Sequence, residues 1–189
     1  MVLSTTTGVV EEVLALLAAA PSPAAGPTVV AVEGRSGSGK TELAAALAAR
    51  TGATVVHLDD LYPGWSGLEA AVDLLRGLLA RLRTGRPTTQ PVWDWDRGAY
   101  TRSVPLPTAG LVVVEGVGAS CAGPVDLLVE LVADPLVRRD RALTRDGETF
   151  APHWDAWAAQ EDRLFARCPV RPDVRFTSGT AVGTEPAWS

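Results

Sequence analysis

The chain is almost without lysine: of its 17 basic residues, 16 are arginine and one is Lys40. Cysteine is equally scarce. Cys121 and Cys168 lie far apart and belong to no Cys-x-x-Cys or Cys/His ligand spacing, so neither a disulfide framework nor a zinc site is read from them. Two idle thiols in a reducing compartment, hence a cytoplasmic protein, is the expectation. Long hydrophobic runs are missing too. The longest early one, Val13 to Ala20, is too short to span a bilayer. Glu11 and Glu12 precede it without any Lys or Arg before them, which argues against a secretory signal. Excess positive charge is absent: the net charge is −5, and nonspecific binding to nucleic acid or an anionic membrane is not expected. Nothing in the sequence fixes an oligomeric state.

What is present suits one globular domain. The 189 residues, 47% hydrophobic and 21% charged, can bury a core without staples. Residues 9–20 read as an amphipathic helix, and the Pro-rich stretch at 21–27 ends it, so 1–27 form an N-terminal helix and linker. Strands are expected at Thr28 to Glu33, Ala53 to Leu58, Leu111 to Val117, Asp126 to Ala133 and Val174 to Thr177, from β-branched or continuously apolar runs. Helices are expected at Thr41 to Arg50, at 67–84 with a clear 3.6 period, at about 135–146 and at about 152–167. Residues 85–110, rich in proline and tryptophan, read as a hairpin or long loop. Alternating strands and helices predict a three-layer α/β domain over 28–179 with a mostly parallel five-stranded sheet. A loose tail is expected at 180–189.

The solitary lysine sits in the most specific motif. Gly34-Arg35-Ser36-Gly37-Ser38-Gly39-Lys40-Thr41 fits G-x-x-x-x-G-K-[ST] without a mismatch. Its glycines let the backbone curl so that successive N–H groups point at an anion. The helix that follows presents its positive end to the same charge. Lys40 neutralises β- and γ-phosphates, and the Thr41 hydroxyl ligates Mg²⁺. Arg and Lys are not interchangeable where a compact charge must reach a phosphate, and this chain keeps its one ammonium there. A plain Gly/Ser turn is the bland alternative, but a chance match has odds on the order of one in a hundred at ordinary Gly frequency. A guanine-selective N-K-x-D segment is excluded, because the only lysine is already used, and no L-S-G-G-Q signature occurs. A small ATP-dependent phosphotransferase is the best remaining class. A nucleotide-binding regulator with slow or no ATP hydrolysis is the alternative.

The loop GRSGSGKT, VVHLDDLY at 55–62, PVWDW at 91–95, VVVEG at 112–116 and RRDRALTRD at 138–146 together resemble the uridine kinase-like nucleoside kinases, in the right order over about residues 28–179. The resemblance implies transfer of the ATP γ-phosphoryl to a hydroxyl of a small molecule, a nucleoside or nucleoside-like metabolite. Asp59 and Asp60 lie past the second strand's C-terminal end, where ligands gather in open α/β sheets. In the similar kinases the first acid of D-x-[FY]-Y is the base, which maps to Asp59, with Asp60 and Tyr62 beside the acceptor. Helix or turn capping is the alternative for the pair. Glu115, ending the third strand, is a candidate Mg²⁺ ligand with Thr41. Arg138, Arg141 and Arg145 share a helical face and resemble the family's lid, expected over about 135–150. Ion pairing with neighbouring aspartates is the bland reading of the same stripe. PVWDW is similar to the family's P-x-Y-D-F, so Asp94 is expected to bind acceptor hydroxyls and Trp93 and Trp95 to wall the acceptor pocket, within a region at 59–110. Gly98 and Tyr100 stand where a uridine kinase has His and then Arg, so its base contacts do not carry over. Phe150, Trp154, Trp157 and Leu164 fit one helical face and read as core, with Glu161 near that face.

Overall fold

A computed structural model describes residues 3–178; the tail expected at 180–189 lies outside the described residues. The elements run α1 (Leu3–Ala19), β1 (Thr28–Glu33), α2 (Lys40–Thr51), β2 (Thr54–His57), α3 (Leu68–Leu82), β3 (Thr88–Asp94), β4 (Ala99–Leu106), β5 (Leu111–Glu115), β6 (Leu127–Ala133), α4 (Pro135–Phe150), α5 (Trp154–Arg167) and β7 (Val174–Ser178). Five parallel strands form one sheet in the order β2-β5-β1-β6-β7. The α/β reading of the sequence is therefore the fold.

β1 is central and shows why both faces must be covered. Its residues alternate sides, and Val29 to Val32 are all fully buried. Val29 and Ala31 join Val112 and Val114 in one core with Leu75 and Leu79 of α3 and Trp157 and Leu164 of α5. Val30 and Val32 join Val113 and Val129 in a second core with Leu43 and Leu47 of α2 and Val10 and Val13 of α1. Each such buried Leu or Val contributes roughly 1.5–3 kcal/mol. α1 starts several residues earlier than expected and packs beside α2 on this second core.

The segment 85–110 is a hairpin. β3 and β4 pair antiparallel as a separate two-stranded sheet. The lid region is one helix with a break: Gly147 takes φ 51° and ψ −134° inside α4, so the helix expected at 135–146 ends there and a further turn carries Phe150 into the core. Asp134 caps α4 by accepting the Leu136 N–H at 2.8 Å, and Pro135 supplies the first helical residue.

The expectation for the cysteines is overturned. Cys121 and Cys168 are joined as a disulfide, with Cα atoms 5.9 Å apart and no free cysteine among the described residues. Their 47-residue separation hid the pairing, because it depends on α5 returning its C-terminal end to the loop after β5. Among the described residues no helix is long and apolar enough to cross a membrane.

Candidate functional site

The parallel strands deliver β1, β2 and β5 to one edge of the sheet, and the loops that leave them converge. The turn after β1 is the phosphate-loop motif. Gly37 takes φ +79° and Gly39, capping α2, takes φ +97°, conformations that L side chains rarely adopt. Space also requires glycine at 37: a Cβ there would lie 2.1 Å from the Arg138 carbonyl oxygen. α2 opens at Lys40, so its N-terminal amides face the loop. Lys40 is buried, and its Nζ donates to the Arg35 carbonyl at 3.2 Å. Ser38 is buried as well, and its Oγ has no hydrogen-bond partner among the described residues.

A small cavity of about 30 Å³ is lined by Gly37, Lys40, Thr41, Asp59, Glu115, Arg145 and Trp157, among others. The segments after β1, β2 and β5 and the helices α4 and α5 therefore bring together residues that the sequence separates by more than a hundred positions. Thr41 donates its hydroxyl to Glu115 Oε1 at 3.3 Å. Glu115 is buried and also receives His57 Nδ1, at 2.7 Å. That hydrogen bond, opposed by burial, holds the His57 imidazole above its ordinary pKa. Asp59 lies in a short 3-10 turn at Leu58–Asp60. Solvent reaches it, but protein surrounds it closely, and this desolvation, reinforced by the charge of Glu115, raises its carboxyl above the usual aspartate range. Lys40 and Arg145 pull the other way.

Thr41 and Glu115 offer a hydroxyl and a carboxylate converging on one point, an oxygen donor set that fits a hard cation such as Mg²⁺. Among the described residues no group of three or more His, Cys, Asp or Glu side chains could hold a metal by themselves. The remaining ligands would have to come from phosphate and water, as in other phosphate-loop sites.

The other candidates are placed as follows. Asp60 accepts from the buried Gln90 of β3 at 3.2 Å. Trp95 donates its Nε1–H to the Asp59 carbonyl at 3.1 Å and packs 4.7 Å from Trp65. Trp65 in turn stacks on His153 at 4.5 Å. This aromatic wall stands beside the acid turn. Trp93 packs edge-on against Tyr100 within the hairpin. Asp94 accepts the Arg97 N–H at 3.0 Å and pairs with its guanidinium at 3.7 Å, so its carboxylate is engaged in the hairpin turn. Tyr62, expected beside the acceptor, is a core residue instead: it is buried, and its hydroxyl donates to the Val117 carbonyl at 2.9 Å. It follows the 3-10 turn and points inward, so burial, with the nearby acids, raises its hydroxyl pKa.

The three lid arginines do not act alike. Arg145 lines the cavity and is bonded to Asp146 at 2.7–2.8 Å. Arg141 lies on the exposed side of α4. Arg138 sits at the base of the helix, where its guanidinium donates to the Ser36 and Ala133 carbonyls at 3.2 and 3.3 Å.

Sequence reasoning gave no role to three residues at the site. His57 faces Glu115 because β2 and β5 pair in parallel with these two in register. Glu33 ends β1 fully buried, and Glu161 of α5 is buried against Ser36. Glu33 and Glu161 share one signal, a carboxylate within an otherwise apolar pattern.

No protein-family model matches the chain, and no curated protein does. Among solved structures, a protein from Bacillus stearothermophilus described as a possible uridine kinase is similar, with a TM-score of 0.55 and 22% identity, covering 93% of this chain and 100% of that one. A protein described as a candidate fructose transport system kinase, from a Silicibacter species, is similar with a TM-score of 0.56 and 21% identity over 90% of this chain and 98% of that one. The fold is that of the P-loop kinases, uridine kinase-like and sugar kinase-like proteins among them.

Proposed function

We propose that the protein is an ATP-dependent kinase that transfers the γ-phosphoryl group to a hydroxyl of a small polar molecule, a nucleoside or nucleoside-like metabolite. The observation that carries this reading is the convergence of Lys40, Thr41, Asp59, Glu115 and Arg145 on one cavity below the glycine-rich loop. A phosphate-binding turn alone would serve any nucleotide binder. A carboxylate of raised pKa facing the phosphate lysine is what phosphoryl transfer to an alcohol adds.

In this reading the loop amides and Lys40 hold the β- and γ-phosphates. Thr41 and Glu115 would hold magnesium, which supplies charge neutralisation when bound. Asp59 orients the acceptor hydroxyl and takes its proton as the oxygen bonds to the γ-phosphorus. The bond from the γ-phosphorus to the β-bridging oxygen breaks, and ADP leaves. Arg145 faces the charge that spreads over the transferring group. The wall of Trp65, Trp95 and His153 beside Asp59 suits a flat ring on the acceptor.

The test is a screen of ribonucleosides, deoxynucleosides, vitamins and sugars with MgATP, reading ADP release and the phosphorylated product. A product formed with one acceptor class supports the reading. MgATP binding without any acceptor consumed would replace it with a nucleotide-binding regulator.

A further inference from the structure

The glycine-rich turn has little secondary structure to fix it. Of its own bonds, Ser38 N–H to the Arg35 carbonyl at 3.1 Å is the main one. Two side chains from distant parts of the chain hold the rest. The Ser36 N–H donates to Glu161 Oε1 at 2.9 Å, and the Ser36 carbonyl accepts from Arg138 Nη1 at 3.2 Å. Glu161 is 1% exposed. A carboxylate so buried needs donors, and it finds them in Ser36, in Trp157 Nε1 at 3.1 Å and in Arg35 at 3.4 Å.

The geometry points to Glu161 as a positioning residue that sets Lys40 by way of the Arg35–Ser36 peptide. This rests on the reading of the loop as a nucleotide site. A trans peptide is planar, and its N–H and C=O point in opposite directions. Glu161 takes the N–H of this peptide on one side. The carbonyl of the same unit, Arg35 O, is therefore turned the other way, where it receives Lys40 Nζ at 3.2 Å and Ser38 N–H at 3.1 Å. Arg138 acts in the same manner on the next unit. By holding the Ser36 carbonyl it turns the Gly37 N–H away from itself, toward the cavity that Gly37 lines. Without the two clamps, the peptides that flank Ser36 are free to rotate, since Gly37 tolerates either orientation. Lys40 then loses its rest, and the cradle loses an inward amide.

The test is calorimetric titration of MgATP into the full chain, at a temperature where each variant is shown folded by a ligand-free melt. Glu161→Ala should weaken MgATP roughly ten- to a hundredfold, the loss expected of one hydrogen bond to a buried charge. Glu161→Gln, which keeps an oxygen for Ser36, should recover most of the affinity. Asp162→Asn, whose side chain shares Arg35 Nη1 with Glu161 but among the described residues makes no bond to the Ser36 peptide, should bind as the wild type does. Should the alanine variant fail to fold, Glu161→Asp keeps the charge while withdrawing it by one methylene, and a similar weakening is expected. Wild-type affinity in a folded alanine or aspartate variant, with only the melting temperature lowered, would overturn the positioning role alone. A wild type that binds no MgATP would overturn the nucleotide site itself, and the positioning role with it.

Discussion

Glu33 receives both the backbone N–H and the hydroxyl of Ser120, each at 2.9 Å. Glu33 immediately precedes the phosphate loop, and Ser120 follows the strand end that carries Glu115. The Gly118 N–H and the Gly34 N–H complete the set, at 3.0 and 2.7 Å. One fully buried carboxylate thus ties the loop that would hold phosphate to the loop that would hold metal. Burial pushes its pKa up, while the amides and Lys40 pull it down.

All of these partners donate, so the site accepts only an oxygen pair. Glu33→Gln places an NH₂ against N–H groups and leaves at least one buried donor unmet. We expect a loss of about 1–3 kcal/mol in unfolding free energy. Urea denaturation at neutral pH should show a lower midpoint with an unchanged slope. A midpoint equal to that of the wild type would mean that the two loops are joined by packing alone.

Asp59 gives a prediction with opposite signs for activity and stability. Its folded pKa is raised by desolvation and by Glu115. Its contribution to stability is therefore fully present below the ordinary aspartate pKa and is lost as pH rises through the folded value. In chelated, nucleotide-free buffer, Asp59→Asn should melt higher than the wild type at pH 7, and the gap should close by about pH 4. The same change should lower turnover roughly 10²- to 10⁴-fold, the usual contribution of a general base. MgATP affinity should survive. Thermal melts across pH, with steady-state rates on whichever acceptor the screen finds, check both halves.

Contiguity explains which parts of this site the sequence revealed. The loop from Gly34 to Thr41 was legible because one anion needs all its donors from a single turn. Asp59 and Glu115 were legible because each ends a strand, and strand ends share an edge in a parallel sheet. His57 was not, since its contact with Glu115 follows from the pairing of β2 with β5 and not from its neighbours in sequence. Glu161 and Cys168 were hidden in the same way: each depends on where α5 lies against segments 47 or more residues away. Tyr62 misled because a family pattern gives spacing without direction. The 3-10 turn at Leu58–Asp60 turns the chain so that Leu58, Leu61 and Tyr62 all face the core.

The Cys121–Cys168 bridge closes a 47-residue separation. Chain-entropy arguments give such a cross-link about 4 kcal/mol. Addition of a non-thiol reductant should lower the melting temperature by roughly 8–16 °C for a domain of this size. The Cys121→Ser/Cys168→Ser double variant should melt like the reduced wild type and ignore the reductant. A wild type insensitive to reductant would mean that the two sulfurs are not bonded in solution.

The chain's single lysine allows a sharper test of the phosphate loop than its removal. If the sixteen arginines only record a drift in composition, Lys40→Arg should be harmless, because charge is kept. The site says otherwise. Lys40 is buried, its Nζ rests on the Arg35 carbonyl, and the adjoining cavity is about 30 Å³. A planar guanidinium is wider than an ammonium, carries five donors in a fixed fork, and cannot converge on one carbonyl and a bridging phosphate at once. Lys40→Arg should therefore lose turnover by about 10²–10³, nearly as much as Lys40→Ala, with the melting temperature of the free protein little changed. Rates of ADP release for the two variants, set beside their melts, decide between drift and chemistry: an active Lys40→Arg enzyme would show that the loop requires only a positive charge, not this ammonium.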